Sequence, residues 1–164
     1  MAVACNHVDD IRDDWPQLDH PVCEDCAKIG GSWVSLRRCL SCGHVGCCDS
    51  SPNKHATKHH RATDHPIVRA LGHGQDWCWC YFDEISLRRH EDHWDEVDFF
   101  FEVGLGYMRE HLQEGGGFDV DAGTMTARGF PLGEWAGEMR RRDQAGELTV
   151  EQRSELEKLP GWAR

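Results

Sequence analysis

Apolar residues follow two different rhythms along this 164-residue chain. In the first half they come in short bursts. Trp33 to Arg38 (in SWVSLRR) and Trp77 to Phe82 (WCWCYF) are too brief for helices and concentrate aromatic and β-branched residues, so both read as short strands. Ser51-Pro52 reads as a helix start, with serine able to cap and proline tolerated in the first turn. The helix expected from Asn53 to about Ala62 carries His55 and His59 four apart on one face. From Ile85 to Leu112 the pattern reads as mainly helical, because Trp94, Val97, Phe101, Leu105, Met108 and Leu112 recur at steps of three and four. Gly104 and Gly106 weaken the middle of that stretch. Two shorter helices are expected from about Pro131 to Arg141 and from about Val150 to Leu159. The second opens with Thr149-Val150-Glu151-Gln152, the pattern of a capping box. Leu132, Trp135 and Met139 form one apolar face and Leu148, Leu156, Leu159 and Trp162 its complement, so the pair can bury against the Trp94–Leu112 helix.

Composition sharpens the division. All nine cysteines lie between Cys5 and Cys80, and all histidines but His111 precede Trp94. A metal-rich module over residues 1–90 and a metal-free helical module over 94–164 are both of small-domain size. The net charge of −11 disfavours non-specific binding to a phosphate backbone, and neither half is basic. The opening MAVACNHVDD has neither the basic nor the apolar region of a signal peptide, and no 18-residue apolar run occurs, which implies no membrane span and a cytoplasmic protein. In that reducing setting an odd number of cysteines reads as thiolate ligands rather than disulfides.

Zinc takes four soft or borderline ligands in a tetrahedron, and two cysteines separated by two residues reach one ion from a single turn. Cys23-x2-Cys26 and Cys39-x2-Cys42 are two such pairs, followed within a short span by Cys47, Cys48, His55, His59, His60 and His65. A redox-active CxxC would want a thioredoxin-like βαβ pattern, which is absent. The order Cys5-x-His7, Cys23-x2-Cys26, Cys39-x2-Cys42, Cys47, His55, His59, His65-Pro66, Trp79-Cys80-Tyr81 resembles the UBP-type zinc finger, a treble-clef-like module found in deubiquitinases. The resemblance implies an α+β fold and three zinc ions with interleaved ligands. One set is Cys23, Cys26, Cys47 and His55, and a second is Cys39, Cys42, His59 and His65. A third is Cys5, His7 and Cys80, stapling the N-terminus to the final strand. Family members carry a further cysteine three residues after the last of these, where this chain has Asp83. A carboxylate oxygen can complete the tetrahedron, with Cys78 as the alternative. Cys48 is the alternative to Cys47, and His59 is favoured over His60 by its spacing to His55 and His65. His20, His44, His60, His73, His90 and His93 read as solvated or as supporting the ligands.

Many members of the resembled family hold the C-terminal Gly-Gly carboxylate of ubiquitin against an aromatic floor with an arginine. Trp79 and Tyr81 match that floor, with Trp33 as a further wall. The arginine is missing, and Asp49 lies near its position and would repel a carboxylate. The second half, through Leu132-Gly-x-Trp135 and Gly146-x-Leu148-Thr149, resembles the three-helix helicase-associated domain. Arg140-Arg141-Arg142 reads either as a phosphate contact or as a helix C-terminus complementing its own dipole. No catalytic domain fits in the remaining length, so the expected function is a non-catalytic zinc-binding module for a protein or peptide, fused to a helical helper. A nucleic-acid-associated adaptor, and a thiol sensor using Cys48 or Cys78, are the alternatives.

Overall fold

The computed structural model describes residues 5–72 and 75–162, so His73 lies outside the described residues. The chain divides into two compact units, 1–72 with 76–97, and 73–75 with 98–164. The first unit is α+β. Its six strands, β1 (Leu36–Cys39), β2 (Val45–Cys47), β3 (Ile67–Leu71), β4 (Cys78–Cys80), β5 (Ile85–Arg89) and β6 (Trp94–Val97), make one sheet in the order β2-β1-β3-β4-β5-β6. Every neighbouring pair is antiparallel. Helices α1 (Glu24–Ile29) and α2 (His55–Thr63) complete the unit, and a single 3-10 turn spans Asn6–Asp10.

Two small cores support the sheet. One joins Cys5, Leu40, Ile67, Cys78, Cys80, Leu87 and Trp94, with Val8, Ile11 and Trp15 from the N-terminal segment packed against it. The other joins Leu36 and Val45 to Cys23, Cys26 and Cys47. Thiols thus make up a large part of what is buried, so apolar area alone supplies little of the unit's stability.

Helix α2 begins two residues later than the Ser51-Pro52 signal implies. Ser51 Oγ accepts instead from the backbone N–H of Val34 at 2.9 Å, and Lys54 caps the helix from a left-handed conformation at φ 50°. The larger difference concerns Ile85 to Val97, which the step of three and four assigns to a helix. The structure forms the β5–β6 hairpin there, closed by the His90 N–H to the His93 carbonyl at 2.8 Å. Backbone pairing explains it, since β5 takes β4 on one side and β6 on the other, with Ser86 and Leu87 buried and Arg88 and Arg89 at the rim. Trp94 and Val97 share the helical step only by coincidence.

The second unit holds three helices, α3 (Phe99–Gln113), α4 (Leu132–Gln144) and α5 (Val150–Glu157). Asp98 caps α3, accepting from the Phe101 N–H at 3.1 Å. Thr149 and Gln152 close the capping box of α5, both bonds being 3.1 Å. Phe101, Leu105 and Met108 of α3 meet Leu132, Trp135 and Met139 of α4, with Leu156, Leu159 and Trp162 completing a core that contains no thiol. The three arginines late in α4 face carboxylates. Arg140 pairs with Asp119, Arg141 with Glu138 and Glu147, and Arg142 with Asp98 and Glu138. Hydrogen bonds from Arg141 and then Arg142 hold the Glu138 carboxyl at about 2, well below the ordinary range. The cluster is neutralised from within its own unit.

Candidate metal centres

Among the described residues, three groups of four side chains converge in the first unit, each with one ligand atom per residue. The first is Cys23, Cys26, Cys47 and His55. Cys23 is the N-cap of α1, and its Sγ accepts from the Cys26 N–H at 3.4 Å, which turns both sulfurs toward one point. Gly30, left-handed at φ 66°, ends α1 after six residues. Gly46 lies between Val45 and Cys47, where a Cβ would sit 2.6 Å from the Ala56 backbone nitrogen. Only a bare backbone lets the start of α2 lie on β2 and bring His55 to Cys47. The His55 N–H and the Asn53 side-chain amide donate to Cys47 and Cys26 sulfurs at 3.3 and 3.5 Å, which favours thiolates.

The second group is Cys39, Cys42, His59 and His65. Cys39 ends β1, Cys42 sits in the turn to β2, and the histidines come from α2 and the segment after it. His44 stacks on His59 with centroids 4.3 Å apart and places its Nε2 2.9 Å from Asp25 Oδ2, so it stands beside the group without joining it. His60 likewise turns away, its Nδ1 lying 2.8 Å from the His65 carbonyl oxygen.

The third group is Cys5, His7, Cys80 and Asp83. Cys80 ends β4, a strand followed by two more, so the group ties the N-terminal turn to the interior of the sheet and not to its last strand. Cys78 stays in the apolar core, and burial pushes its thiol up to about 12. Cys48 also stands outside the groups, its Sγ 3.4 Å from Ser51 Oγ. Burial raises the Cys48 thiol, but the Ser51 hydroxyl, the charge of Arg37 and the Ser50 and Ser35 N–H groups outweigh this and lower it overall.

These groups can be tested against the dimensions of zinc. Bonds of about 2.3 Å to sulfur and about 2.0 Å to nitrogen imply tetrahedral edges of about 3.8 Å between sulfurs, 3.5 Å between sulfur and nitrogen, and 3.3 Å between nitrogens. In the first group the Cys26 and Cys47 sulfurs are 3.8 Å apart, and His55 Nδ1 lies 3.3, 3.3 and 3.6 Å from the three sulfurs. In the second, sulfur to nitrogen distances are 3.4 and 3.3 Å, and the two imidazole nitrogens are 3.3 Å apart. The third shows 3.8, 3.6 and 3.4 Å, with one shorter edge of 2.9 Å between His7 Nδ1 and Asp83 Oδ2. All three sets fit the ion. Burial ranks them, since the first is almost wholly enclosed while Cys42 and Asp83 leave the others open to water.

The aromatic residues singled out for a ligand are anchored separately. Trp33 packs on the core of the first group. Trp79 is half-buried on β4, in register with Val68 and Ser86. Tyr81 stacks on His60 at 4.4 Å, and its hydroxyl lies 3.4 Å from Thr57 Oγ1. Thr57 donates to Asp49 at 2.6 Å, which fixes that carboxylate beside the phenol. Burial raises the Tyr81 phenol, and Asp49 adds to the rise. Arg37, which the motif order did not single out, lies over the Trp77 ring at 4.7 Å, and its charge reaches both Tyr81 and Cys48. Its signal in the sequence is position, two residues before Cys39 on the same face of β1.

Residues 23–92 match the family described as "Zn-finger in ubiquitin-hydrolases and other protein". Similar proteins include ubiquitin carboxyl-terminal hydrolase 16 of Mus musculus, 33% identical over 89 residues, covering 52% of this chain and 10% of that protein. The same enzyme of Rattus norvegicus is 40% identical over 77 residues, covering 40% and 9%. The match thus spans about a tenth of the length of these relatives. The solution structure of protein RPA1320 from Rhodopseudomonas palustris is 49% identical, covering 54% of this chain and 84% of that one, with a TM-score of 0.47. Among the described residues, no helix is long and apolar enough to cross a membrane. With its paired cysteines and clustered histidines, the segment over residues 23–92 is a zinc-binding UBP-type finger.

Proposed function

We propose that this protein is a non-catalytic interaction module whose finger is held together by three zinc ions and whose β-sheet face receives a protein or peptide. The carrying observation is that each side-chain group already supplies four ligand atoms, which leaves no open position for a substrate or an activated water. Zinc, when bound, supplies folding free energy and charge neutralisation. Cys5, His7, Cys80 and Asp83 would hold the third ion, and Asp83 is the exposed member. Asp83→Ala should therefore lose one ion while the other two stay, read as a drop of one in the zinc count by native mass spectrometry. Loss of all three, or of none, would remove this assignment. None of the nine cysteines is in a disulfide, which suits a reducing compartment such as the cytoplasm.

Trp33, Trp79 and Tyr81 would form the receiving surface, with Arg37 and Asp49 setting its charge. Asp49 sits where a terminal carboxylate would approach Tyr81, so the favoured ligand presents neutral or basic groups there. A ubiquitin-tail peptide ending in Gly-Gly, offered as the free acid and as the amide, tests this. The amide should bind at least as well as the acid, and Asp49→Arg should reverse the order by about tenfold, equivalent to about 1.4 kcal/mol. Trp79→Ala should abolish binding of both without changing the zinc count. Tight binding of the free acid by the unaltered protein would overturn the assignment of Asp49.

The second half carries a helper role in this reading. Its likeness to a helicase-associated domain draws support from element order alone, three helices with Leu132-Gly-x-Trp135 opening α4 and Thr149 capping α5. The internal pairing of Arg140, Arg141 and Arg142 gives the nucleic-acid alternative no support, and the burial of Cys78 gives none to a thiol sensor at that position.

A further inference from the structure

At the tip of the β5–β6 hairpin a fourth group gathers outside the three described above: His90, His93 and Asp95. His90 and His93 flank the two-residue turn Glu91-Asp92, and their rings stack with centroids 4.7 Å apart at an interplanar angle of 10°. Both point Nε2 at one oxygen, Asp95 Oδ2, at 3.0 and 3.5 Å. The other ring nitrogen of His93 is engaged, its Nδ1 lying 2.6 Å from Asp92 Oδ1. A neutral His93 that donates its Nδ1 proton to Asp92 turns a lone pair on Nε2 toward a carboxylate oxygen. Two electron-rich atoms meet there unless a cation lies between them, either a metal ion or the second imidazole proton that Asp92 and then Asp95 favour. Of the neighbouring cations, Arg88 stands opposite Asp95 in the strand register, and Arg89 is directed elsewhere, its Nε donating to Asp13 at 2.8 Å.

We propose that His90, His93 and Asp95 form an exchangeable site for a divalent transition-metal ion of the zinc class, separate from the three structural sets. Bonds of about 2.0–2.1 Å to nitrogen and oxygen imply tetrahedral edges near 3.4 Å, and the observed 3.0 and 3.5 Å bracket that value. Two imidazoles and one carboxylate select zinc, nickel or copper over magnesium or calcium. Asp92 on the far nitrogen of His93 is the partner that fixes ring orientation and strengthens a metal-bound imidazole. Three protein ligands leave a position open to water or to a side chain of a partner. Exposure on a hairpin tip, with the His93 side chain 51% and the Asp95 side chain 32% accessible, makes the ion exchangeable where that of the enclosed first set is not.

The full-length, zinc-loaded chain is the material for the test. After dialysis against a weak chelator, zinc is added back and the bound equivalents are counted by native mass spectrometry, with imidazole resonances followed by NMR. The expected result is one further equivalent per monomer, with shifts at His90 and His93 and none at His55, His59 or His65. His90→Ala and His93→Ala should lose that equivalent and keep the others, and Asp92→Asn should weaken it by about 10–100-fold. No further equivalent, an extra ion that survives in both alanine variants, or one ion shared by two chains would each overturn the site. If a variant fails to keep its other ions, the imidazole shifts of the unaltered chain decide the matter alone. Shifts that follow pH but not zinc identify the cation between these groups as a proton.

Discussion

Exhaustive chelation of the full chain should unfold the first unit and leave the three helices of the second in place. In the smaller of its two cores, three of the five buried members are the thiols Cys23, Cys26 and Cys47, and in the other Cys5, Cys78 and Cys80 take three of seven places. Without a cation those sulfurs are poor core material. Burial first, and then the Asp83 hydrogen bond, push the Cys5 thiol up to about 12, so the thiolate that a metal needs is strongly disfavoured without one. A structural zinc contributes about 10–16 kcal/mol at neutral pH, as much as the whole stability of an ordinary domain, about 5–15 kcal/mol. Removing the ion of the enclosed first group therefore exceeds what the remaining apolar contacts can hold. The core of the second unit joins thirteen buried hydrophobic residues, none of them cysteine, and has nothing to lose to a chelator. Amide resonances from residues 23–97 should collapse to the unfolded range while the indole signals of Trp135 and Trp162 keep their native positions. Cys26→Ser should reproduce the effect, because Cys26 is wholly buried and touches both Cys47 and His55. Cys42→Ser acts on a more exposed set and should be milder. A first unit that keeps its dispersion without metal, or a second unit that melts with it, would refute this division of labour.

The grouping of side chains could be read ahead because soft-ligand chemistry leaves few other uses for so many cysteines and histidines in one segment. The backbone between them was less legible. Ser51-Pro52 carries a helix-start signal, but tertiary demand claims the Ser51 hydroxyl for the Val34 N–H and hands the cap to Lys54. Ile85 to Val97 shows the same competition at larger scale. Trp94 and Val97 fit the helical step into Phe101, yet the register that pairs Arg89 with Trp94 and Ser86 with Val97 wins, because β5 already has a partner in β4. The composition places the change to helical structure at Trp94, whereas α3 starts at Phe99, after the Asp98 cap. The His90, His93 and Asp95 cluster exists only because of that hairpin. A helix over the same residues would have kept His90 and His93 on one face, three residues apart, but turned Asp95 away from both, so a reading built on a helix misses the third member.

Gly104→Ala should destabilise the second unit, against the direction that helix propensity gives. In α3 a Cβ on Gly104 would land on the indole of Trp135, meeting Cδ1, Nε1 and Cε2 at less than any real contact distance. Trp135 is fully buried between Phe101 and Phe118, whose ring centroids both lie 6.4 Å from its own, so the indole has little room to retreat. Overpacking of a filled core costs about 1–3 kcal/mol, and a rigid ring as the opposing group places this case at the upper end. The gain of about 1 kcal/mol in helix propensity for alanine over glycine does not offset it. Gly137 in α4 supplies the opposite control, since a Cβ there meets nothing within 4 Å and the position is exposed. Gly137→Ala should stabilise the same unit by about 0.5–1 kcal/mol. At roughly 4–8 °C per kcal/mol for a unit of this size, thermal melts of the helical transition separate the two variants clearly, one below and one above the unaltered chain. Trp135→Ala removes the opposing ring and should cost about 3–5 kcal/mol alone. Combined with Gly104→Ala it should cost less than the two added together, because the new methyl then fills part of the space the indole leaves. Additive losses would mean that Gly104 and Trp135 do not meet in solution.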